Sequence, residues 1–165
     1  METTWYKLAN LATNKFKDVE NVSGIYFVRW SRDGKPVAIS RLGGVDQKGI
    51  LYVGSAKNLK KRVKRLWRGI NQQGRHTIGK TIIFCKVFEL INLDEYEISW
   101  EEARPPEKAI GLEWTAIKLY ADKYREPPPL NLQLRREMFI VLGIGKWGKS
   151  RFAYKEDKFV KAILG

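Results

Sequence analysis

Apolar residues recur along this chain at two spacings, every second position in some stretches and every third or fourth in others. Residues 24–30 are a β-branched and aromatic run that predicts a strand, whose pleat puts Tyr26, Val28 and Trp30 on one face and Ile25, Phe27 and Arg29 on the other. Asp33-Gly34 marks a turn, residues 36–40 a short return strand and residues 42–46 a loop. Residues 50–54 predict the next strand, with Ile50 and Tyr52 on a common face. The apolar run at 81–90 predicts the third, and it holds the single cysteine, Cys85, expected to be a buried, inert thiol. The helical period appears at Leu59, Val63, Leu66 and Ile70, behind Asn58 as N-cap, so a helix is predicted over residues 58–72. Leu8, Leu11 and Phe16 place a short amphipathic helix within residues 5–17. Pro105-Pro106-Glu107 opens another helix, of about 18 residues, that stops at Pro127-Pro128-Pro129. Residues 130–132 read as extended, 137–142 as a strand, 143–150 as a glycine-rich loop and 154–164 as a terminal helix. The acidic stretch at 89–102 reads as loop. The expected fold is one α/β (α+β) domain, with a small central, mainly antiparallel three-stranded sheet flanked by helices. Its core covers residues 22–133, and residues 134–165 form a basic extension packed on or beside it.

Charge changes this picture. Lys and Arg number 31 against 18 Asp and Glu, a net charge of +13. Eleven of those cations fall within residues 47–88, where there is no acid at all. A field of one sign over a strand and the following helix is a footprint for a polyanion, nucleic acid first. Lys57 precedes the predicted helix, and Lys60, Lys61, Lys64, Arg65 and Arg68 point away from its apolar stripe. Arg62 differs, because it lies about 60° from the stripe centre at about 100° per residue and so faces the sheet edge. In the later helix, Glu113 falls inside the apolar arc of Ile110, Ile117, Tyr120 and Tyr124. A carboxylate there is costly unless it is paired, protonated or bound to a cation.

Composition excludes some classes. One cysteine and one histidine, His76, cannot build a structural zinc site, and no disulfide can form within the chain. No apolar run approaches a membrane span, and the N-terminus lacks the basic flank and apolar core of a signal peptide. The expectation is a soluble, cytoplasmic protein associated with nucleic acid and not with a membrane.

Gly24-Ile25-Tyr26, then Tyr52-Val53-Gly54, then Arg62 in the following helix, His76 in the loop after it, Glu113 in a later helix and Asn131 after the prolines form an ordered set. Over about residues 22–133 the chain resembles the GIY-YIG endonuclease superfamily. It departs from the usual pattern in spacing: 25 residues separate Tyr26 from Tyr52, and residues 36–48 look like an insertion. The resemblance implies hydrolysis of a DNA phosphodiester with one divalent ion, Mg2+ or Mn2+, held by Glu113. It implies Arg62 on a phosphate oxygen and Tyr52 hydrogen-bonded to the water or the phosphate. Tyr26 or His76 would be the general base, and Asn131 would fix substrate or Glu113. Lys57, Lys60, Lys61, Lys64, Arg65 and Arg68 would hold DNA. A homodimer or an accessory DNA-binding partner would supply a second cut or added specificity. Two other readings stand beside this one. The first is a nucleic-acid-binding protein that keeps the fold without efficient cleavage. The second is a PD-(D/E)xK nuclease using Glu156-Asp157-Lys158, which lacks a matching upstream Asp on a strand.

Overall fold

The structure, a computed structural model, describes residues 3–72, 77–132 and 157–165. β1 (Tyr6–Lys7) leads into α1 (Leu8–Thr13), and β2 (Gly24–Arg32) turns into β3 (Lys35–Pro36). β4 (Ile39–Arg41), β5 (Gly44–Asp46), β6 (Ile50–Ala56), α2 (Leu59–Ile70) and α3 (Thr77–Phe84) follow. β7 (Tyr96–Glu102), α4 (Pro106–Tyr124) and a C-terminal helix, Lys158–Leu164, complete the described chain. β2 is central: β6 and β7 pair with it antiparallel on its two sides, and β1 extends the far edge of β7. The predicted mainly antiparallel sheet flanked by helices is therefore present.

Each face of the sheet carries a core. Tyr26 and Val28 of β2 join Tyr96 and Ile98 of β7 beneath α1, α2 and α3. Ile25 and Phe27 join Ile50 and Val53 beneath α4 and the C-terminal helix. α2 contributes Leu59, Val63, Leu66 and Ile70, each at most 2% exposed. Full burial of such a side chain stabilises by about 1.5–3 kcal/mol, so this stripe outweighs the cap that starts the helix. The cap forms as predicted, with Lys61 N donating to the Asn58 side chain at 2.8 Å. Glycines bring α2 and α3 into backbone contact, since a Cβ on Gly79 would lie 2.5 Å from the Gly69 carbonyl oxygen.

The structure corrects several expectations. Residues 81–90 are not a strand: α3 ends at Phe84, and a 3-10 turn covers Val87–Glu89. A short apolar run fits either period, and here Ile78 and Ile82, four apart, are the buried pair. Cys85 consequently lies past the helix end and is exposed. The third major strand is β7, in the stretch read as acidic loop. Glu97 within it meets Arg29 at 2.7 Å, and Glu95 just before it meets Arg32 at 2.5 Å. Residues 42–46 are not a plain loop either, because β5 pairs with β4. Ile50 and Tyr52 do not share a face. A bulge shifts the β2–β6 register between Val28 and Arg29, so that Ile50 joins one core and Tyr52 packs on the other. The helix within residues 5–17 is shorter, with Tyr6–Lys7 spent on pairing with β7. α4 ends before the prolines, at Arg125 in the left-handed region (φ 64°). Asp157 caps the C-terminal helix, accepting from Phe159 N and Val160 N at 3.1 Å. The predicted strand at 137–142, the loop at 143–150 and His76 lie outside the described residues.

Candidate active site

The central strand carries Tyr26 into the α2 face of the sheet, where it is fully buried. Its partner across the β2–β6 pair is Gly54. The absent side chain makes room for the ring, since a Cβ on Gly54 would stand 2.6 Å from both Tyr26 Cζ and Tyr26 Oη. Gly24 serves packing in the same strand, where a Cβ would meet the Glu101 carbonyl oxygen and, at 2.6 Å, Leu59 Cδ1 at the start of α2. The bulge in β6 turns Tyr52 onto the Tyr26 face, and the two rings lie 6.0 Å apart at a tilt of 37°. Both tripeptides thus have a physical reason: two tyrosines on one face, and glycines where a side chain would not fit.

Glu113 reaches this place from the other layer. α4 buries Leu112, Ala116, Ile117 and Tyr120, and Glu113 sits half-buried at the margin of that stripe. Its Oε2 accepts a short hydrogen bond from the Ser55 hydroxyl, one residue past Gly54 in β6. Asn131 secures the same strand: Val53 N donates to its Oδ1 at 2.9 Å, and its Nδ2 donates to Val53 O at 2.8 Å. Both ends of the Asn131 amide are therefore spent on the backbone of the second tripeptide.

Arg62, half-buried in the second turn of α2, and Glu113 both act electrostatically on the Tyr26 phenol. Burial pushes that phenol well above its ordinary value; Tyr52 and Glu113 push the same way, and Arg62 opposes them. Desolvation disfavours the charged phenolate, so Tyr26 keeps its proton at neutral pH in the free protein. The Tyr52 hydroxyl is the hydrogen-bonding neighbour of this buried oxygen. Tyr26, Tyr52, Arg62 and Glu113 thus converge, with Asn131 one residue away on Val53. Of the basic residues, Lys57, Lys61, Arg65 and Arg68 are exposed, and Lys60 and Lys64 are half-buried.

The family comparison bears on this geometry. A model of the GIY-YIG catalytic domain matches residues 23–125. The chain belongs to the GIY-YIG family. The match spans both tripeptides, Arg62 and Glu113, and membership implies a nuclease with DNA as its substrate. Searches of curated proteins and of solved structures found no match. Among the described residues no helix is long and apolar enough to cross a membrane. Ser55 is the site residue that sequence reasoning missed. Nothing in its position after Gly54 signals a partner 58 residues away.

Proposed function

We propose that this GIY-YIG protein is a metal-dependent DNA endonuclease that hydrolyses a phosphodiester through Tyr26, Tyr52, Arg62 and Glu113. The observation that carries the reading is the convergence on the buried Tyr26 phenol of Tyr52, Arg62 and Glu113, which come from three different elements and all act on it electrostatically.

The residues fit one hard divalent cation. Among the described residues no group of three or more His, Cys, Asp or Glu could enclose an ion. Mg2+ keeps several waters and takes one or two carboxylates, and Glu113, oriented by Ser55, is such a ligand. When bound, Mg2+ or Mn2+ supplies charge neutralisation for the departing oxygen. Arg62 holds a non-bridging phosphate oxygen and stabilises the charge that grows there. Tyr52 orients water or phosphate by hydrogen bonding. Tyr26 is proposed as hydrogen-bond partner of the nucleophile and as base, a role in which bound substrate and metal must overcome the burial that chiefly holds its proton. His76 is proposed as an alternative base or relay. Asn131 acts by holding the Tyr52-Val53-Gly54 backbone. Lys57, Lys60, Lys61, Lys64, Arg65 and Arg68 hold the DNA. We assign residues 22–133 as the nuclease core and 134–165 as a basic extension. One such site cuts one strand at a time, so a double-strand break requires a homodimer, successive nicks or an accessory partner.

Plasmid nicking in Mg2+ and Mn2+ tests the reading. Glu113→Ala is expected to abolish nicking while DNA binding persists, and Arg62→Ala to lower the rate by about 100-fold or more. Unchanged nicking by Glu113→Ala would remove its metal role. Binding without nicking by the wild type, on plasmid, branched, flapped and single-stranded DNA alike, would leave a nucleic-acid-binding protein on the same fold.

A further inference from the structure

A cavity of about 360 Å³ opens at the far end of α2 from Arg62. Its floor is apolar and aromatic: Ile70, Ile91 and Tyr96 line it, each at most 4% exposed. The Tyr96 hydroxyl is buried and has no hydrogen-bond partner. The rim carries Asn71, Gln72 and Phe88, the last of them 42% exposed. Asn92 also lines the cavity, but its side chain is already engaged in capping the turn that leads to Glu95. An exposed aromatic side chain and two side-chain amides form a binding set for a flat group with a polar edge.

The surface leading to this cavity indicates which flat group. Lys61, Arg65 and Arg68 form one exposed row at helical spacing, and the row continues to Gln72. α2 has no acid anywhere along it. From Arg62 to Ile70 the helix rises about 12 Å, or three to four steps of a duplex strand at about 3.4 Å each. A polyanion following the row from Arg62 would bring its own flat, polar-edged groups to the rim.

We propose that this cavity receives an unpaired nucleobase of the DNA substrate, stacked on Phe88 and read at its edge by Asn71 and Gln72. The assignment rests on the nuclease reading and deepens it, because it makes unpaired or extruded bases a determinant of where the protein settles. Extrusion costs least where a base is already unpaired, so bulged or branched DNA is the favoured class.

Binding by the full chain in the presence of a chelator tests this apart from cleavage. The probes are a duplex with one unpaired 2-aminopurine, the fully paired duplex, and a duplex with an abasic residue at the bulge. The unpaired base is expected to bind about tenfold tighter than either control, with its fluorescence quenched on binding. Phe88→Ala and Gln72→Ala should each bring that ratio towards one. Equal affinities, as a merely water-filled cavity gives, overturn the proposal, as does a preference that survives both substitutions. Displacement by free deoxynucleotides as effective as that by the bulged duplex would assign the cavity to mononucleotides instead. No binding to any DNA overturns the nuclease reading as well, whereas equal binding overturns the cavity assignment alone.

Discussion

A buried hydroxyl costs a fold about 1–3 kcal/mol of desolvation where no partner offsets it, and the fully buried Tyr26 phenol has the Tyr52 hydroxyl alone for that. If the oxygen is kept for chemistry, deleting it should separate stability from activity. Tyr26→Phe is expected to leave stability in urea unchanged or raised by about 1 kcal/mol, with nicking lost. A marked drop in the unfolding midpoint would instead mark the hydroxyl as structural. Ser55 makes the reverse case, since its hydroxyl is fully used on Glu113. Ser55→Ala should cut activity about 10- to 100-fold and move the Mg2+ midpoint to higher concentration. A lower rate with an unmoved Mg2+ midpoint would show that Ser55 packs the strand without tuning the carboxylate.

At the level of elements, α2 divides its cations between two tasks. Arg62 is half-buried beside the tyrosines, whereas Lys61, Arg65 and Arg68 are exposed along the outer row. The outer row should act through counterion release alone. Replacing Lys61 or Arg65 by Ala is expected to lower the slope of log affinity against log salt by about one per residue, in salt-titrated DNA binding. The nicking rate of the bound complex should change little. An unchanged slope would place these side chains away from the DNA. β7 shows the complementary logic, in which charges that look solvated are paired across strands: Glu97 lies opposite Arg29 in register and bonds to it. Glu95 accepts from Arg32, which holds its carboxyl below the usual range.

The whole molecule places its site where two layers meet. Tyr26, Tyr52 and Arg62 belong to the layer under α2, Glu113 to the layer under α4, and β6 bonds to both through Ser55 and Gly54. The same burial that forms the cores also sets the alkaline limit of the fold. Tyr26, Tyr96 and Tyr120 are all held above the ordinary phenol value of 10.0, chiefly by burial. The folded state keeps protons that the unfolded chain releases. Their contribution to stability is therefore complete below pH 10 and is lost as pH rises beyond it. Urea midpoints should be level from about pH 8 towards 10 and then fall, less steeply in Tyr26→Phe. A flat profile to about pH 11 would show that the phenols ionise freely in the native state.

Much of this was legible in one dimension. The β-branched and aromatic run at residues 24–30 placed Tyr26 on a strand, and the helical period of Leu59, Val63, Leu66 and Ile70 set Arg62 apart from its neighbours, because both signals are local. Glu113 stood out as a charge within an apolar arc for the same reason. The third strand was not legible: Glu97 in β7 and Glu95 before it are neutralised by Arg29 and Arg32, whose proximity is created only by pairing with β2. Nor was the face of Tyr52, because a single bulged residue reverses the phase of a strand and leaves no mark in composition. Local periodicity thus determined which residues were unusual, while the tertiary structure alone decided which met. Contacts such as Ser55 with Glu113 and Asn131 with Val53 join positions 58 and 78 residues apart, beyond the reach of any periodic signal.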